Sequence, residues 1–415
     1  MKTLELAKEV QEYVVKMRRE FHMNPEPSMK EFNTSARIKE ELDKMGVEYK
    51  SVAGTGVVAT IHGNTPGKTV ALRGDIDALA VVEENDVDYA SKVPGLMHAC
   101  GHDTHGAMLL GAVKVLNQMK DELKGTVKFF FQPGEEVGRG AAAMVADGVL
   151  DGVDGVMGIH ISSDMPTGTI NADGGPRMAS ADAFKITITG KGGHGARPEQ
   201  CVDAVVVGAA TVMNLQSIVS RELSPFDPVV VTTGSIKSGT RFNVIAPTAV
   251  LEGTVRYFKP EYKDVISAAI ERIAKSTAEA YRATAEMEYD SCVKPTINDD
   301  ECAKIAQEAA SKLVGKENVL HLPPSTGGED FSEFSSVVPG VMTRLGARNE
   351  AKGIVYPHHH VKFKVDEDYL KETIKKDLAV QKYRENYEQD LKVIDKEVEK
   401  YYKEHKDDFK EESVE

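Results

Sequence analysis

Short apolar runs that end in acidic loops alternate with helical patterns along the first third of the chain. The runs are TVALRGDID (69–77), TVKFFFQPGEE (126–136) and GVMGIHI (155–161), and the helical pattern HGAMLLGAVKVLNQM (105–119) separates the first two. This alternation predicts an α/β domain with a mainly parallel sheet. Ligands bind beyond the carboxyl ends of such strands, so the polar residues at these ends should converge. They are Asp75, Asp77, Glu135, Glu136 and His160.

From about Ala181 the pattern changes to strands that alternate apolar and polar residues. Six segments follow as strand, helix, strand, strand, helix and strand, and the last ends near Cys292. This βαββαβ order is that of a ferredoxin-like sandwich, a complete small domain. Beyond it, GVMTRLG and VYPHHHVKF look like the first domain resuming. We therefore predict a discontinuous first domain, 1–180 and 292–383, interrupted by an inserted domain, 181–291.

The C-terminal segment 384–415 is dominated by charge, since 19 of its 32 residues are charged. Its few apolar residues keep a spacing of three or four, which predicts a helix with a narrow apolar stripe. A helix that packs loosely on the body of the protein accounts for this pattern. We assign the segment no function.

Length, composition and charge restrict the function classes. A chain of 415 residues exceeds one ordinary core, and 41% hydrophobic with 28% charged residues is typical of a globular protein. The net charge of -14 disfavours nucleic acid and anionic membrane surfaces. The segment 1–21 alternates charged and apolar residues, unlike a signal peptide or a membrane span. We therefore expect a cytoplasmic protein without nucleic-acid or membrane partners.

The segment HACGHDTH (98–105) combines a thiol with three imidazoles. Cys100 cannot form a local disulfide in a reducing compartment, and the other cysteines show no CxxC or framework spacing. A Cys-x-His arrangement in an intracellular chain marks a metal site or a catalytic thiol. Thiolate, imidazole and carboxylate together suit zinc or a neighbouring divalent metal. Such groups recur as Cys100 with His102, Glu135 with Glu136, His160, and PHHH (357–360).

These groups exceed the needs of one tetrahedral ion. The excess indicates two metals that share a bridging group, a type of site suited to activating water for hydrolysis. The alternative is that Cys100 is a nucleophile and a histidine is its base. That alternative leaves Glu135, Glu136 and His160 without a role.

Ten motifs, in order along the chain, resemble the amidohydrolase branch of the aminoacylase and carboxypeptidase metallopeptidases. That branch includes hippurate hydrolase and the hydrolases of auxin-amino-acid conjugates. The resemblance extends from about residue 10 to about residue 382, so the C-terminal segment lies outside it. The motifs are RREFHMNPEPSMKEFNT, RGDIDAL, HACGHDTH, QPGEE, GIH, GKGGHGARP, RFNVIAP, GTVR, GGEDF and PHHHVKF.

The resemblance implies a site for two divalent metal ions per subunit, zinc or manganese in preference to cobalt or nickel. Cys100 would be the thiolate that bridges the ions. The family usually has a histidine four residues before a phenylalanine that corresponds to Phe363, which selects His359, although valine replaces the usual proline at position 361. The other ligands would be His102, Glu136 and His160, with Asp75 and Asp77 as carboxylates that orient a ligand histidine.

The resemblance also implies roles in catalysis and substrate binding. Glu135 would be the general base, next to the metals but not bound to them. His194 would reach across a dimer to stabilise the oxyanion of the tetrahedral intermediate. Asn243 and Arg256 would hold the free carboxylate of the substrate. The inserted domain would then serve as a lid and in dimerisation.

Taken together, the sequence predicts a cytoplasmic, homodimeric, two-metal amidohydrolase. Its substrates would be N-acyl amino acids, or similar small amides with a free carboxylate, which it would split into an acid and an amino acid. A dipeptidase or carboxypeptidase on the same fold is the alternative, because the residues of an acyl pocket lie in loops without diagnostic motifs. A non-catalytic metal-binding scaffold is disfavoured, because Glu135 and the full ligand set are present.

Overall fold

Strands and helices alternate along most of the chain. The structure is a computed structural model that describes residues 2–367, so the helix predicted within 384–415 lies outside the described residues. The strands are β1 (Glu48–Val52), β2 (Gly56–His62), β3 (Thr65–Asp75), β4 (Lys124–Gln132), β5 (Gly155–Pro166), β6 (Ile170–Asn171), β7 (Gly175–Met178), β8 (Ala181–Thr189), β9 (Gly193–His194), β10 (Val230–Ser238), β11 (Val244–Ile245), β12 (Thr248–Arg256), β13 (Thr284–Val293), β14 (Thr296–Asn298) and β15 (Gly340–Arg348). The α-helices are α1 (Lys2–Glu9), α2 (Gln11–Met23), α3 (Phe32–Met45), α4 (His102–Gln118), α5 (Gly140–Ala146), α6 (Ala204–Ser217), α7 (Tyr262–Ala280), α8 (Asp300–Val314) and α9 (Ser332–Ser335).

Seven strands form the central sheet, in the order β1-β2-β4-β3-β5-β15-β6. The four inner strands, β4, β3, β5 and β15, are parallel neighbours, whereas β1, β2 and β6 extend the edges in antiparallel pairs. The predicted α/β fold with a mostly parallel central sheet is thus confirmed. The three apolar runs of the sequence correspond to β3, β4 and β5.

Helices cover both faces of the central sheet, because its inner strands are apolar on both sides. The run Phe129, Phe130 and Phe131 in β4 shows the pattern, since successive side chains of a strand point to opposite faces. Phe129 and Phe131 join the core formed with α2 and α4, whereas Phe130 joins the core formed with α5 and α9. All three are fully buried. With both faces covered, the edge at the carboxyl ends of the strands is left for a site.

The second sheet is antiparallel throughout and has the order β10-β12-β8-β13. α6 and α7 pack on one of its faces, where Phe184, Ile186 and Ile188 of β8 are buried. Along the chain these elements follow one another as β8, α6, β10, β12, α7 and β13, the strand and helix order that the sequence indicates. The boundaries of the domain division and the lid role of this part stay predictions.

Candidate metal centre

The carboxyl ends of the parallel strands open into a cleft of about 560 Å³. Asp75 is the last residue of β3, and His160 lies in β5. The loop after β4 carries Glu135 and Glu136, and α4 begins at His102 at the same edge. The residues that follow the apolar runs therefore lie together. The cleft walls include Cys100, Glu135, Glu136, His160, Arg256 and His359.

Two of the predicted ligand histidines, His102 and His160, each use Nδ1 for a hydrogen bond to an oxygen. His102 Nδ1 lies 3.0 Å from Oδ1 of Asp77, and its Nε2 is buried without a hydrogen-bond partner among residues 2–367. His160 Nδ1 lies 2.6 Å from the carbonyl oxygen of Ile161, and its Nε2 lies 3.6 Å from the Cys100 sulfur. Each acceptor oxygen requires a proton on Nδ1, so Nε2 is the atom that carries the lone pair whenever either ring is neutral. Burial acts to lower the pKa of His102, but the carboxylates Asp75 and Asp77 raise it, so a metal ion at its Nε2 takes the place of a proton. Such nitrogens are suited to bind a metal ion.

His105 differs from these two histidines, because both of its ring nitrogens are occupied. Its Nε2 accepts the backbone N–H of Ile161 at 3.0 Å, so its Nδ1 carries the proton and donates it to Asp75 Oδ1 at 2.5 Å. Asp75 also accepts a hydrogen bond from Arg73 at 2.7 Å, and it lies 3.7 Å from Nε2 of His102. Asp75 is therefore hydrogen-bonded to His105 and not, as expected, to one of the predicted ligand histidines. Asp77 does orient such a histidine, His102.

The same nitrogen accounting separates the three histidines at positions 358–360. His358 Nε2 accepts the backbone N–H of Ser163 at 3.1 Å, and His360 Nδ1 accepts the backbone N–H of Lys362 at 3.0 Å. His359 instead places its Nε2 at 3.6 Å from Oε2 of Glu136. His359 also has a φ of 65°, a left-handed conformation that is costly outside glycine and often found at functional sites. This geometry agrees with the choice of His359.

Glu136 belongs to two groups of closely spaced potential ligand atoms. A carboxylate oxygen of Glu136, the Cys100 sulfur and a ring nitrogen of His359 lie within 4.8 Å of one another, and the same limit holds for Glu136, Glu135 and His102. Oε1 of Glu136 is buried and has no hydrogen-bond partner in the described part of the chain. Unsatisfied buried oxygens are rare in proteins, and a bound ion is one explanation for them.

Electrostatics at the cleft floor favours added positive charge. Burial raises the pKa of the Cys100 thiol, so the thiolate needs a cation nearby. Burial raises the pKa of Glu135, and the adjacent carboxylates Glu329 and Asp330 raise it further. Burial lowers the pKa of His160, helped by His105, which keeps the ring neutral as a metal ligand requires.

The donor set fits two divalent ions. The ring nitrogens of His102, His160 and His359, the thiol of Cys100 and the carboxylate of Glu136 belong to overlapping groups, in which Cys100 lies close to His160 as well as to Glu136 and His359. Thiolate, imidazole and carboxylate are the ligands of zinc and its neighbours.

The predicted catalytic residue His194 and the predicted substrate-binding residues Asn243 and Arg256 lie in two different places. Arg256 lies in the cleft wall, where Nη1 donates to the carbonyl of Val255 at 2.9 Å. His194 and Asn243 lie together elsewhere, because β9 pairs with β11 and the N–H of Gly195 donates to the carbonyl of Asn243 at 2.9 Å. Both side chains are exposed, and neither lines the cleft of its own chain.

Arg73, Glu329 and Asp330 are buried at the centre of the site, and the sequence assigns them no role. Arg73 donates to Glu329 at 2.8 Å and to Asp330 at 3.1 Å, as well as to Asp75 and to Gln132 at 2.7 Å each. These residues lie in the motifs RGDIDAL and GGEDF, and these motifs were the features of the sequence that could have indicated a role for them. Their proximity depends on a contact across 256 positions of sequence.

Known proteins resemble the chain over most of its length. The profile described as "Peptidase family M20/M25/M40" matches residues 71–375, which include every predicted site residue. A thermostable carboxypeptidase of Saccharolobus solfataricus is 43% identical over 88% of this chain and 93% of its own length. An N-acyl-L-amino acid amidohydrolase of Geobacillus stearothermophilus is 44% identical over 71% of this chain and 80% of its own length.

A solved structure shows the same similarity. A Bacillus subtilis protein, described as a dinuclear metal-binding peptidase of the M20 family, superposes with a TM-score of 0.78 at 36% sequence identity. The match covers 90% of this chain and 98% of that protein. That protein is described as dinuclear, and in this chain Glu136 belongs to two of the four overlapping groups of potential ligand atoms among the described residues.

Removal of a ligand should remove metal and activity together. We expect Cys100→Ser and His102→Ala each to lower the bound metal content and abolish turnover. The control is Cys201→Ser, which changes a buried thiol outside the predicted ligand set and should do neither. A chelator should inactivate the enzyme reversibly. Metal analysis by atomic absorption, together with the hydrolysis rate, provides the measurement. Hydrolysis that survives chelation but is lost on alkylation of Cys100 would instead support a thiol nucleophile.

The two adjacent glutamates should respond differently to the same substitution. Glu135→Gln keeps its shape and should keep the metal, but it loses a proton transfer worth about 10²- to 10⁴-fold in rate. Glu136→Gln should lose metal as well as activity. Metal content and kcat of the two variants decide the matter. A metal-free Glu135→Gln beside an active Glu136→Gln would reverse the two roles.

Proposed function

The chain belongs to peptidase family M20/M25/M40 and is a metal-dependent amidohydrolase, and from this premise we propose that it hydrolyses N-acyl amino acids to a carboxylic acid and an amino acid. The observation that carries the proposal is the juxtaposition at the cleft floor. Free ligand atoms of His102 and Glu136 lie beside the carboxylate of Glu135, in a cleft that is open to a small molecule. The relative named N-acyl-L-amino acid amidohydrolase supports the substrate class.

The reaction divides the work between the metal ions and the chain. When bound, two divalent ions polarise the carbonyl of the scissile amide and lower the pKa of water. Glu135 accepts a proton from the attacking water and passes it to the nitrogen of the leaving amino acid, which departs as the amine. The raised pKa of Glu135 suits a group that must both take and return a proton.

The walls of the cleft suit the two ends of such a substrate. Arg256 offers a planar guanidinium to the free carboxylate of the amino acid. Val137, Met178 and Val293 give the cleft an apolar wall against which an acyl group can pack. Asn243 does not line the cleft of its own chain, so it would join Arg256 at the substrate carboxylate in the cleft of a partner subunit.

The identity of the metal and the compartment belong to the proposal. We propose zinc or manganese, with cobalt or nickel as the alternatives: the thiolate and imidazoles favour zinc, whereas the carboxylate also suits manganese. All four cysteines are free thiols, which supports a reducing compartment such as the cytoplasm.

A carboxypeptidase or dipeptidase is the second candidate, because one relative that is 43% identical is named a carboxypeptidase. A panel of acetyl, benzoyl, long-chain and indoleacetyl amino acids, with dipeptides for comparison, tests the choice in the presence of Mn, Zn, Co or Ni. We expect the acylated amino acids to have the higher kcat/KM. Faster cleavage of substrates with a free amine would favour the second candidate.

An exposed apolar side of α6, beside an edge of the second sheet, supports a homodimer. The helical stretch Ala204–Glu222 is long and apolar enough for a membrane span by length and composition alone, but it packs on the second sheet through Val207 and Leu215. Its other side exposes Val206 and Met213, which are 47% and 70% exposed. The strand beside it, β10, is an edge of the sheet. An apolar helix next to an open edge suits a two-fold contact.

In such a dimer His194 would act in the partner's cleft, which subunit exchange can test. Glu135→Ala and His194→Ala should each be nearly inactive. After random exchange half of the dimers are mixed, and one of their two sites has both residues, so activity should return to about a quarter of wild type. Labelled subunits verify the exchange. No recovery after verified exchange means that His194 serves its own chain or is not catalytic.

A further inference from the structure

One motif, RREFH (18–22), has no role in the proposed reaction, yet its residues Arg18, Phe21 and His22 are buried. Arg18 and His22 lie one turn apart on α2, and each is 1% exposed. α2 packs on α4, the helix that begins with the candidate ligand His102. A buried charge is very costly unless it is paired. The partners of Arg18 and His22 therefore show what this face of α2 holds.

Both side chains contact the same oxygen of Asp103, the residue that follows His102. Arg18 Nε lies 2.8 Å from Oδ2 of Asp103, and His22 Nδ1 lies 2.9 Å from the same atom. Asp103 lies in the first turn of α4, which starts after Gly101 and has no side-chain cap. A buried ion pair with α2 thus fixes the position of the first turn of α4.

The opposite end of Arg18 contacts the segment that carries His359. Its Nη1 donates to Oε1 of Glu367 at 3.0 Å. Arg19 binds the same carboxylate in bidentate fashion, because Nε donates to Oε1 at 3.0 Å and Nη2 donates to Oε2 at 2.5 Å. Arg18 therefore links Asp103, which follows the candidate ligand His102, to Glu367, which lies eight residues after the candidate ligand His359.

His22 reaches the same segment by a second route. Its Nε2 lies 3.1 Å from Oε1 of Glu83, and Asn85 donates to that oxygen at 3.0 Å. Asn85 also donates to the carbonyl of Phe363 at 2.9 Å. Phe363 is buried and packs against His358, beside His359. One route through the Arg18 ion pair and one hydrogen-bonded route through His22 thus run from Asp103 to the segment of His359.

We propose that Arg18, Arg19 and His22 form a brace, here called the α2 brace, that holds the start of α4 and the segment 357–367 at the spacing required by the metal ions. A buried ion network is seldom more stabilising than apolar packing of equal volume, so stability alone gives little reason for one here. The network does fix position, because the hydrogen bonds that His22 makes and those that Glu367 accepts have defined lengths and directions. The inference rests on the metal centre proposed above.

Two variants weaken the α2 brace at opposite ends without large changes of shape. His22→Gln cannot donate from two separate nitrogens to Asp103 and Glu83, and Glu367→Gln removes the anion shared by Arg18 and Arg19. Loss of groups that orient metal ligands typically lowers metal affinity about 10- to 100-fold. We expect a loss of this size for Co²⁺, measured on metal-free protein by competition with a chelating dye. The absorption of the thiolate-to-cobalt charge transfer should also shift.

Arg37→Gln is the matched control, because it breaks ion pairs on the other side of α2. Arg37 Nε donates to Glu20 on α2 at 2.6 Å, and Nη1 lies 2.5 Å from Glu41 on α3. Its loss should lower the melting temperature of the metal-free protein but leave Co²⁺ affinity and the spectrum unchanged. Global stability does not alter the affinity of a protein that is fully folded at the assay temperature.

The outcomes separate the α2 brace from the metal centre itself. If wild type binds Co²⁺ and both brace variants bind it equally well with the same spectrum, the brace is wrong. If wild type binds no Co²⁺ in this assay, the proposed metal centre has failed instead. Should His22→Gln not fold, Glu367→Gln alone decides, because Glu367 is partly exposed and its substitution changes no volume in the core.

Discussion

The metal centre depends on one buried carboxylate, Asp77. Its Oδ1 accepts a hydrogen bond from His102 at 3.0 Å, and its Oδ2 accepts from the backbone N–H of Glu136 at 3.0 Å and from the hydroxyl of Ser28 at 2.6 Å. Burial acts to raise the pKa of Asp77, but the hydrogen bonds from His102 and Ser28 prevail and lower it. An ionised carboxylate can only accept, so His102 must carry its proton on Nδ1. Asp77 thus sets the tautomer of one ligand and the position of another.

The surroundings of Asp77 contain more negative than positive charge. Asp75, Glu329 and Asp330 share the buried guanidinium of Arg73, and this leaves the carboxylates of Glu135 and Glu136 without a permanent cation of their own in the described part of the chain. Divalent ions would supply the missing charge. Because burial raises the pKa of Cys100, metal binding and the loss of its proton must be linked. The site is therefore complete only as a combination of chain and ions.

The sequence predicts the fold and the chemical composition of the site better than its internal contacts. The runs that became β3, β4 and β5 could be recognised because strands buried on both faces are continuously apolar, and their ends place His160 and Glu136 at one edge. Spacing could not distinguish His105 from His102, because the difference lies in which ring nitrogen a backbone N–H occupies. Nor could it predict the contacts of Arg73, whose partners are brought near only by the folded chain.

A site of this kind has to resist closing on itself. Each buried polar atom without a partner costs about 1–3 kcal/mol, and neither Nε2 of His102 nor Oε1 of Glu136 has a hydrogen-bond partner among residues 2–367. They are 3.8 Å apart, so once the His102 ring takes up a second proton, a shift of about 1 Å would join them in a hydrogen bond and fill the space meant for a metal ion. Asp77 opposes this shift, because it holds the far side of the His102 ring and the backbone of Glu136 at once. The surrounding network of buried charges is then understood as the means by which the protein keeps ligand atoms apart until an ion binds, at the expense of stability.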